Sequence, residues 1–272
     1  MGRLPGDRRA RAAAGRAPPR CSLRLVNLLL LEPSEIAADG IARLAGRRAL
    51  HVRHVLRASA GDRIQAGVLG SRMGEAEVLA ASDHEIVIVP RLDRDPPPPA
   101  PVTLIAAVPR PKILRRVLQA VASMGVKKLV LLGSYRVEKS YFGSPFLEAS
   151  AIRAELVLGL EQGRDTILPD VSLRRFFKPF VEDELDAAFP ERARLLAHPA
   201  GSALLETLAP AAERACVAIG PEGGWTPYEA DALRGRGFTP FSLGPRVLRV
   251  DAAVPYAIGQ VELWLRARSL SR

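Results

Sequence analysis

The stretch Gly220-Pro-Glu-Gly-Gly-Trp225 decides how this chain is read. An apolar run at 216–219 precedes it, and Thr226-Pro227-Tyr228-Glu229 follows it. Three glycines within five residues leave backbone bare enough for a ligand to approach closely. Thr226 and Glu229 have the spacing of a capping box, with Pro227 at the first helical position. A buried strand, a tight loop and a helix start therefore follow in close succession, as in the strand–loop–helix units of a parallel sheet. Physics alone leaves two readings of the loop open, a nucleotide-type cradle and a plain glycine turn. No GxGxxG follows the first strand of this pattern and no GxxxxGK[ST] occurs anywhere, so the familiar nucleotide fingerprints are absent.

The alternation extends in both directions. Upstream, 102–108 is a continuous apolar strand, and 111–125 is a helix with Ile113, Leu114, Val117, Leu118 and Val121 at helical spacing. A strand at 129–132 follows, then a helix at 147–162 with Ile152, Leu156 and Leu160 on one stripe, then a short buried strand at 194–197. Downstream, 238–243 is a weaker strand containing Pro240, and the chain ends in a helix at 251–268 with Val254, Ile258, Val261 and Leu265 on one face. Strands alternating with helices predict a mostly parallel α/β sheet. Ligands of such sheets bind beyond the carboxyl ends of the strands. Three loops occupy that position: His198-Pro-Ala-Gly201, 220–224, and Leu243-Gly-Pro-Arg-Val-Leu-Arg249.

The chain has 272 residues, a length that suggests two domains. Asp95-Pro-Pro-Pro-Pro-Ala-Pro101 marks the division, since consecutive prolines join neither a ladder nor a helix interior and make a stiff spacer. Before it, 25–94 holds β-type runs at 25–31, 62–68, 75–79 and 86–89, with helical turns across 34–56, a pattern that suggests a small barrel. Residues 1–24 carry seven arginines against one aspartate, scattered Pro and Gly, and no apolar period. They read as a disordered basic arm: a phosphate-binding tail, a transit peptide, or a dispensable extension upstream of the true start, the last being favoured. The net charge of +10 sits in that arm and in 96–272, where 23 basic residues face 18 acidic ones. A basic protein favours polyanions, nucleic acid above all, although Arg/Ala-rich composition also follows from a GC-rich genome. Two cysteines, Cys21 and Cys216, exclude a disulfide framework and suggest a reducing compartment. The longest apolar stretch is broken by Asn27 and stopped by Glu32, too short for a membrane span.

GPEGGW (220–225) followed by LGPRVLR (243–249) resembles the small-subunit ribosomal RNA uridine-N3 methyltransferases, a family of the SPOUT superfamily. HVRHVLRASAGDRI (51–64) is similar to that family's N-terminal barrel, and helix 111–125 with its following strand to the start of its catalytic domain. Glu161-Gln162 with Arg164 resembles its EQ-type motif, and Leu196-Ala-His-Pro199 its first cofactor loop. The likeness covers about 25–268. It implies a small N-terminal PUA-like β-barrel at 25–94 that binds RNA, the linker 95–101, and a SPOUT α/β domain at 102–272 with a C-terminal trefoil knot. Nothing in the periodicity indicates a knot, and the general expectation runs against one. The resemblance further implies a cytoplasmic homodimer that binds S-adenosylmethionine among the three loops and methylates N3 of a uridine in 16S ribosomal RNA of the small ribosomal subunit. Val250-Asp251-Ala252 stands where the family more often has Thr-Glu-Thr, and helix 111–125 opens with Pro-Lys-Ile in place of the usual Gly-acidic-Lys.

Site residues follow from the resemblance. Leu196, His198, Gly220, Pro221, Glu222, Gly223, Gly224, Leu243, Gly244, Val247 and Leu248 are expected at the cofactor. Arg246, Arg249 and Asp251 are expected to be catalytic, and His51, Arg53, Arg57, Lys112, Arg115, Arg116 and Arg164 to face RNA. The sulfonium methyl is already activated, so the protein's task is orientation and removal of the N3 proton. Orientation lowers such barriers by about 7–11 kcal/mol, and a base adds roughly 10²–10⁴ in rate. Asp251 or Glu222 is the candidate proton acceptor, although Asp251 also reads as the N-cap of the last helix. Lys112, Arg115, Arg116 and Gln119 share one helix face, which reads either as a phosphate track or as a solvated basic surface. His51 and His54 are three apart with no third ligand near, so no metal is expected. Trp225 walls the pocket or packs beneath it, and Trp264 belongs to the core or to a dimer interface. The rivals are an RNA-binding protein with a degenerate catalytic domain, a SPOUT enzyme acting on another base, and a different nucleotide-binding α/β enzyme such as a dehydrogenase.

Overall fold

Short strands of 25–94 assemble first. A computed structural model of the chain describes residues 27–191, 193–199, 204–208 and 213–269; the basic arm at 1–24 lies outside them. Strands β1 (Leu29–Leu31), β2 (Ala42–Ala45), β3 (Arg63–Val68), β4 (Met73–Ala81) and β5 (Glu85–Arg94) form a sheet in the order β1-β3-β4-β5-β2. Only β1 and β3 run parallel. Register shifts between β4 and β5 at Met73/Glu75 and Val78/Ala80 bend the sheet. Leu31, Val52, Ile64, Val78, Ile86 and Ile88 fill its concave side as a separate buried cluster.

The helical turns expected across 34–56 lie at the two ends of that stretch, with an unforeseen strand between them. A 3-10 turn at Pro33–Glu35 and helix α1 (Arg47–Leu50), which continues as a π turn through His51–Val55, flank the edge strand β2. Ala42 and Leu44 point inward while Arg43 and Ala45 point out, the period of a strand. Gly40 and Gly46, both at positive φ, bracket it.

The second sheet follows from apolar runs that have no polar face. Its strands are β6 (Val102–Ala107), β7 (Lys128–Leu132), β8 (Asp170–Arg174), β9 (Ala193–Ala197), β10 (Ala215–Ile219) and β11 (Phe238–Phe241). All pair in parallel in the order β11-β9-β10-β6-β7-β8. Every residue of β6 and β10, at its centre, is buried, as a sheet covered on both faces requires. Helices α2 (Pro111–Ser123) and α3 (Ala149–Gly163) pack on each other, and α2 lays Leu114, Val117, Leu118 and Val121 into the core. Strand β8 and the helical segment behind it, α4 (Phe177–Pro179), a π turn and α5 (Leu185–Ala188), have no counterpart in the sequence reading. An edge strand spelled Asp-Val-Ser-Leu-Arg, half exposed, carries no apolar run to betray it. Helix α6 (Pro227–Gly235) starts on the capping box anticipated from Thr226 and Glu229, with both of its reciprocal hydrogen bonds present. Helix α7 (Val250–Ser269) then brings the chain back from the β11 edge to pack against α2, β10 and β6.

The two sheets share interior. Leu28, Leu30, Leu69 and Met73 belong to the large core that β6, β7 and α2 build. Arg47 forks onto both carboxylate oxygens of the buried Glu161, each at 3.1 Å, while the Glu161 carbonyl accepts from Leu28 N–H at 2.8 Å. Gly70 N–H donates to the Thr166 carbonyl, and the Thr166 hydroxyl to the Ser71 carbonyl. The proline-rich segment lies against the second sheet: Ala100 N–H donates to Gly125, and Pro101 accepts from Ala215. No helix of the described residues is long and apolar enough to cross a membrane.

Candidate active site

The three loops meet. A cavity of about 110 Å³ opens at the carboxyl ends of β9, β10 and β11. Its lining includes His198 from the first loop, Gly220, Pro221, Glu222 and Gly224 from the second, and Leu243, Gly244, Arg246, Val247 and Leu248 from the third. Backbone geometry explains two glycines. Gly224 has φ +71° and Gly244 φ +122°, and a Cβ at either would meet no protein atom. L side chains rarely adopt such φ values, so glycine here leaves backbone bare toward open space.

Two residues expected at the cofactor do not line the cavity. Leu196 is fully buried inside β9, with Ala197 at the rim instead. Gly223 turns away, and its carbonyl accepts from the Arg136 guanidinium. Pro199 of the first loop lines the cavity too, and sequence reasoning missed Ile219, Val250 and Ala253. The last two sit three apart on the first turn of α7, a spacing that would have put them on one face. Trp225 does both things weighed for it. It lines the cavity and is buried, packing against Phe177 with ring centroids 5.9 Å apart. Its indole Nε1 is buried without a hydrogen-bond partner.

The expected catalytic residues divide. Arg246 lines the cavity, while Arg249 and Asp251 lie just beyond it. Asp251 is not the N-cap: α7 begins at Val250, and the Arg249 carbonyl accepts from Ala252 and Ala253 N–H. The Asp251 side chain instead joins two guanidiniums, Arg116 at 2.9 Å and Arg249 at 3.3 Å. Glu222 lines the cavity and accepts from Arg110 N–H at 3.0 Å, at the start of α2. Cys216 is no nucleophile, because burial pushes its thiol up, far from the thiolate form.

The expected RNA face is partly committed inside the molecule. Arg115 pairs with Glu155 of α3, which Gln119 also contacts, and Arg116 pairs with Asp251, so this helix face ties elements together. Lys112 is exposed. Arg53 and His54 approach Asp83 at 3.9 and 3.2 Å. Arg164 caps α3 in the left-handed conformation, and Arg57 also has positive φ.

Residues 96–262 match the RNA methyltransferase domain family. The chain belongs to that family. It is 30% identical over 251 residues to ribosomal RNA small subunit methyltransferase E of Treponema pallidum, covering 89% of this chain and 94% of the relative. It is 26% identical to the protein of that name from Synechocystis, covering 88% and 78%. The structure of ribosomal RNA small subunit methyltransferase E from Neisseria gonorrhoeae, solved bound to S-adenosylmethionine, superposes with a TM-score of 0.67 at 19% identity, covering 87% of this chain and 97% of that one. A Legionella pneumophila methyltransferase with bound S-adenosylmethionine gives 0.67 at 22% identity, covering 89% and 98%. These structures share the α/β fold of this chain.

Proposed function

We propose that this RNA methyltransferase uses S-adenosylmethionine to methylate N3 of a uridine in 16S ribosomal RNA. The observation that carries the reading is the convergence of the three loops on one cavity at the carboxyl edge of the sheet. The relatives' names, and the ligand bound in two solved structures, support the substrate and the cofactor.

The residues fit the group. Ile219, Leu243, Leu248 and Trp225 offer apolar walls to a purine, the bare backbone at Gly224 and Gly244 lets a ribose approach, and the orphaned Trp225 Nε1 supplies a donor. The cavity is smaller than the roughly 300–1,000 Å³ usual for ligand sites, and the exposed Arg246 and Val247 line it. S-adenosylmethionine supplies an activated methyl group. The chain's residues supply position. Asp251 holds the Arg249 fork beside the cavity mouth, where its planar donors suit a uracil carbonyl or a phosphate. Because its oxygen is shared between two guanidiniums, we assign Asp251 to positioning, and the proton acceptor role to Glu222.

We further propose that 25–94 forms a PUA-like RNA-binding unit, that the protein works in the cytoplasm, and that it is a homodimer. Support for the dimer shifts from Trp264, which is buried and donates to the Leu208 carbonyl at 2.9 Å, to Tyr256 and Leu263, which leave an exposed apolar stripe on α7. Incubation with labelled S-adenosylmethionine and unmethylated small ribosomal subunits, followed by mass mapping of the modified base, tests the reading. Label on a base other than uridine, or none, overturns it.

A further inference from the structure

A second and larger cavity, about 520 Å³, opens beside the first at the carboxyl ends of β7 and β8. Gly133, Ser134 and Tyr135 follow β7, Arg175 to Lys178 follow β8, and Thr226, Tyr228 and Glu229 come from the start of α6. Its materials are unusual for a surface. Tyr135 is 88% exposed, Phe176 67% and Tyr228 59%, three large rings around one hollow. Single exposed apolar residues need no explanation, but a cluster marks a binding surface.

The charges say what binds. Arg175 and Lys178 line the hollow. Of the carboxylates nearby, Glu229 is buried and bonded to Tyr135 N–H and Thr226, and Glu182 shares Lys178 at 3.9 Å, so the positive charge at the hollow rests first on Arg175. Exposed rings flanked by cations are the means by which proteins hold unpaired nucleic acid, since every base has a face to stack. Ser134 lines the hollow with a buried hydroxyl that has no partner, a group left for the edge of a base. The two cavities share a wall. Phe177 stands 5.9 Å from Trp225 of the first and 6.5 Å from Tyr228 of the second.

We propose that the second cavity binds an unpaired base of the RNA substrate, stacked on Tyr135, Phe176 or Tyr228, next to the nucleotide that enters the first cavity. The proposal rests on the reading of the chain as an RNA methyltransferase, and it explains how a target held in folded RNA is presented: its neighbour is drawn out and seated too.

The test uses the whole protein and a ten-nucleotide single-stranded RNA carrying 2-aminopurine, whose fluorescence falls on stacking. Wild type should quench the probe. Tyr135→Ala and Tyr228→Ala should each weaken RNA binding about 10-fold, whereas Tyr135→Phe and Tyr228→Phe should stay within about twofold. S-adenosylmethionine affinity should not move, and with ribosomal subunits KM should rise while kcat holds. Tyr135 is almost fully exposed, so its variant keeps the fold. Unchanged RNA affinity in both alanine variants overturns the proposal, as does a loss of dimer in sedimentation with RNA affinity intact, which would make the hollow a protein interface. Failure of wild type to methylate subunits while it still quenches the probe would sink the methyltransferase reading and leave the stacking site supported.

Discussion

The two cavities sit side by side on one sheet edge and are built from opposite materials. The first has bare backbone at Gly224 and Gly244 and a tight volume; the second has three exposed rings and several times the space. The difference teaches how one edge separates two tasks. A small ligand of fixed shape is gripped by backbone that cannot vary, and a flexible polymer is held by side chains that tolerate many bases.

The sharpest way to break this division is Gly244→Val. A branched side chain at φ +122° is strained at a residue that lines the first cavity, so S-adenosylmethionine affinity should fall by about 100-fold or more in calorimetry, with RNA quenching unchanged. Gly223→Val is its control. There a Cβ meets only the flexible Arg136 side chain at 3.2 Å, and affinity should change less than about 10-fold. A smaller loss at Gly244 than at Gly223 would misplace the cavity.

At the start of α7, just beyond the first cavity, lies the Arg116–Asp251–Arg249 cluster. Arg249→Lys keeps the charge and loses the fork, so single-turnover methyl transfer should slow by about 10² while both ligands bind normally. Asp251→Asn should slow it by about 10-fold through loss of positioning, with the melting temperature held. Wild-type rates in the lysine variant would remove Arg249 from the site. On the aromatic side, Arg175→Ala and Lys178→Ala should each lower the salt slope of RNA binding by about one unit and leave the cofactor untouched. Equal slopes would show that the cations do not meet phosphate.

The smallest effect lies away from both cavities. Burial raises the Glu35 carboxyl, but hydrogen bonds from Arg48 and from the Glu32 backbone outweigh it and hold the group below its ordinary value of 4.5. A depressed carboxylate stabilises the fold above its ordinary value and loses that contribution as pH falls through the folded one. Glu35→Gln should therefore flatten the acid limb of thermal stability below about pH 4.5 and leave methylation at neutral pH alone.

How much of this was legible varies with chemistry. The first cavity was readable because glycine loops between buried strands carry their signal in consecutive letters. The strands β6, β7, β9 and β10 were readable for the same reason, as unbroken apolar runs. The second cavity was not. Tyr135, Phe176 and Tyr228 are far apart in the chain, and β8, the strand that brings Phe176 to the others, is a half-exposed edge with no period. Asp251 shows the same limit at a single position: its helix start was visible, but its Arg116 partner lies on another helix, and only the fold joins them.

The Glu161 carboxylate holds Arg47 of α1 and its carbonyl accepts from Leu28 N–H just before β1, and the hydrophobic interior runs on through Leu28, Leu30, Leu69 and Met73. The molecule thus behaves as a gauge with fixed jaws. On the proposal that 25–94 also binds RNA, a substrate would have to offer two points at one set span, and a short fragment would offer only one.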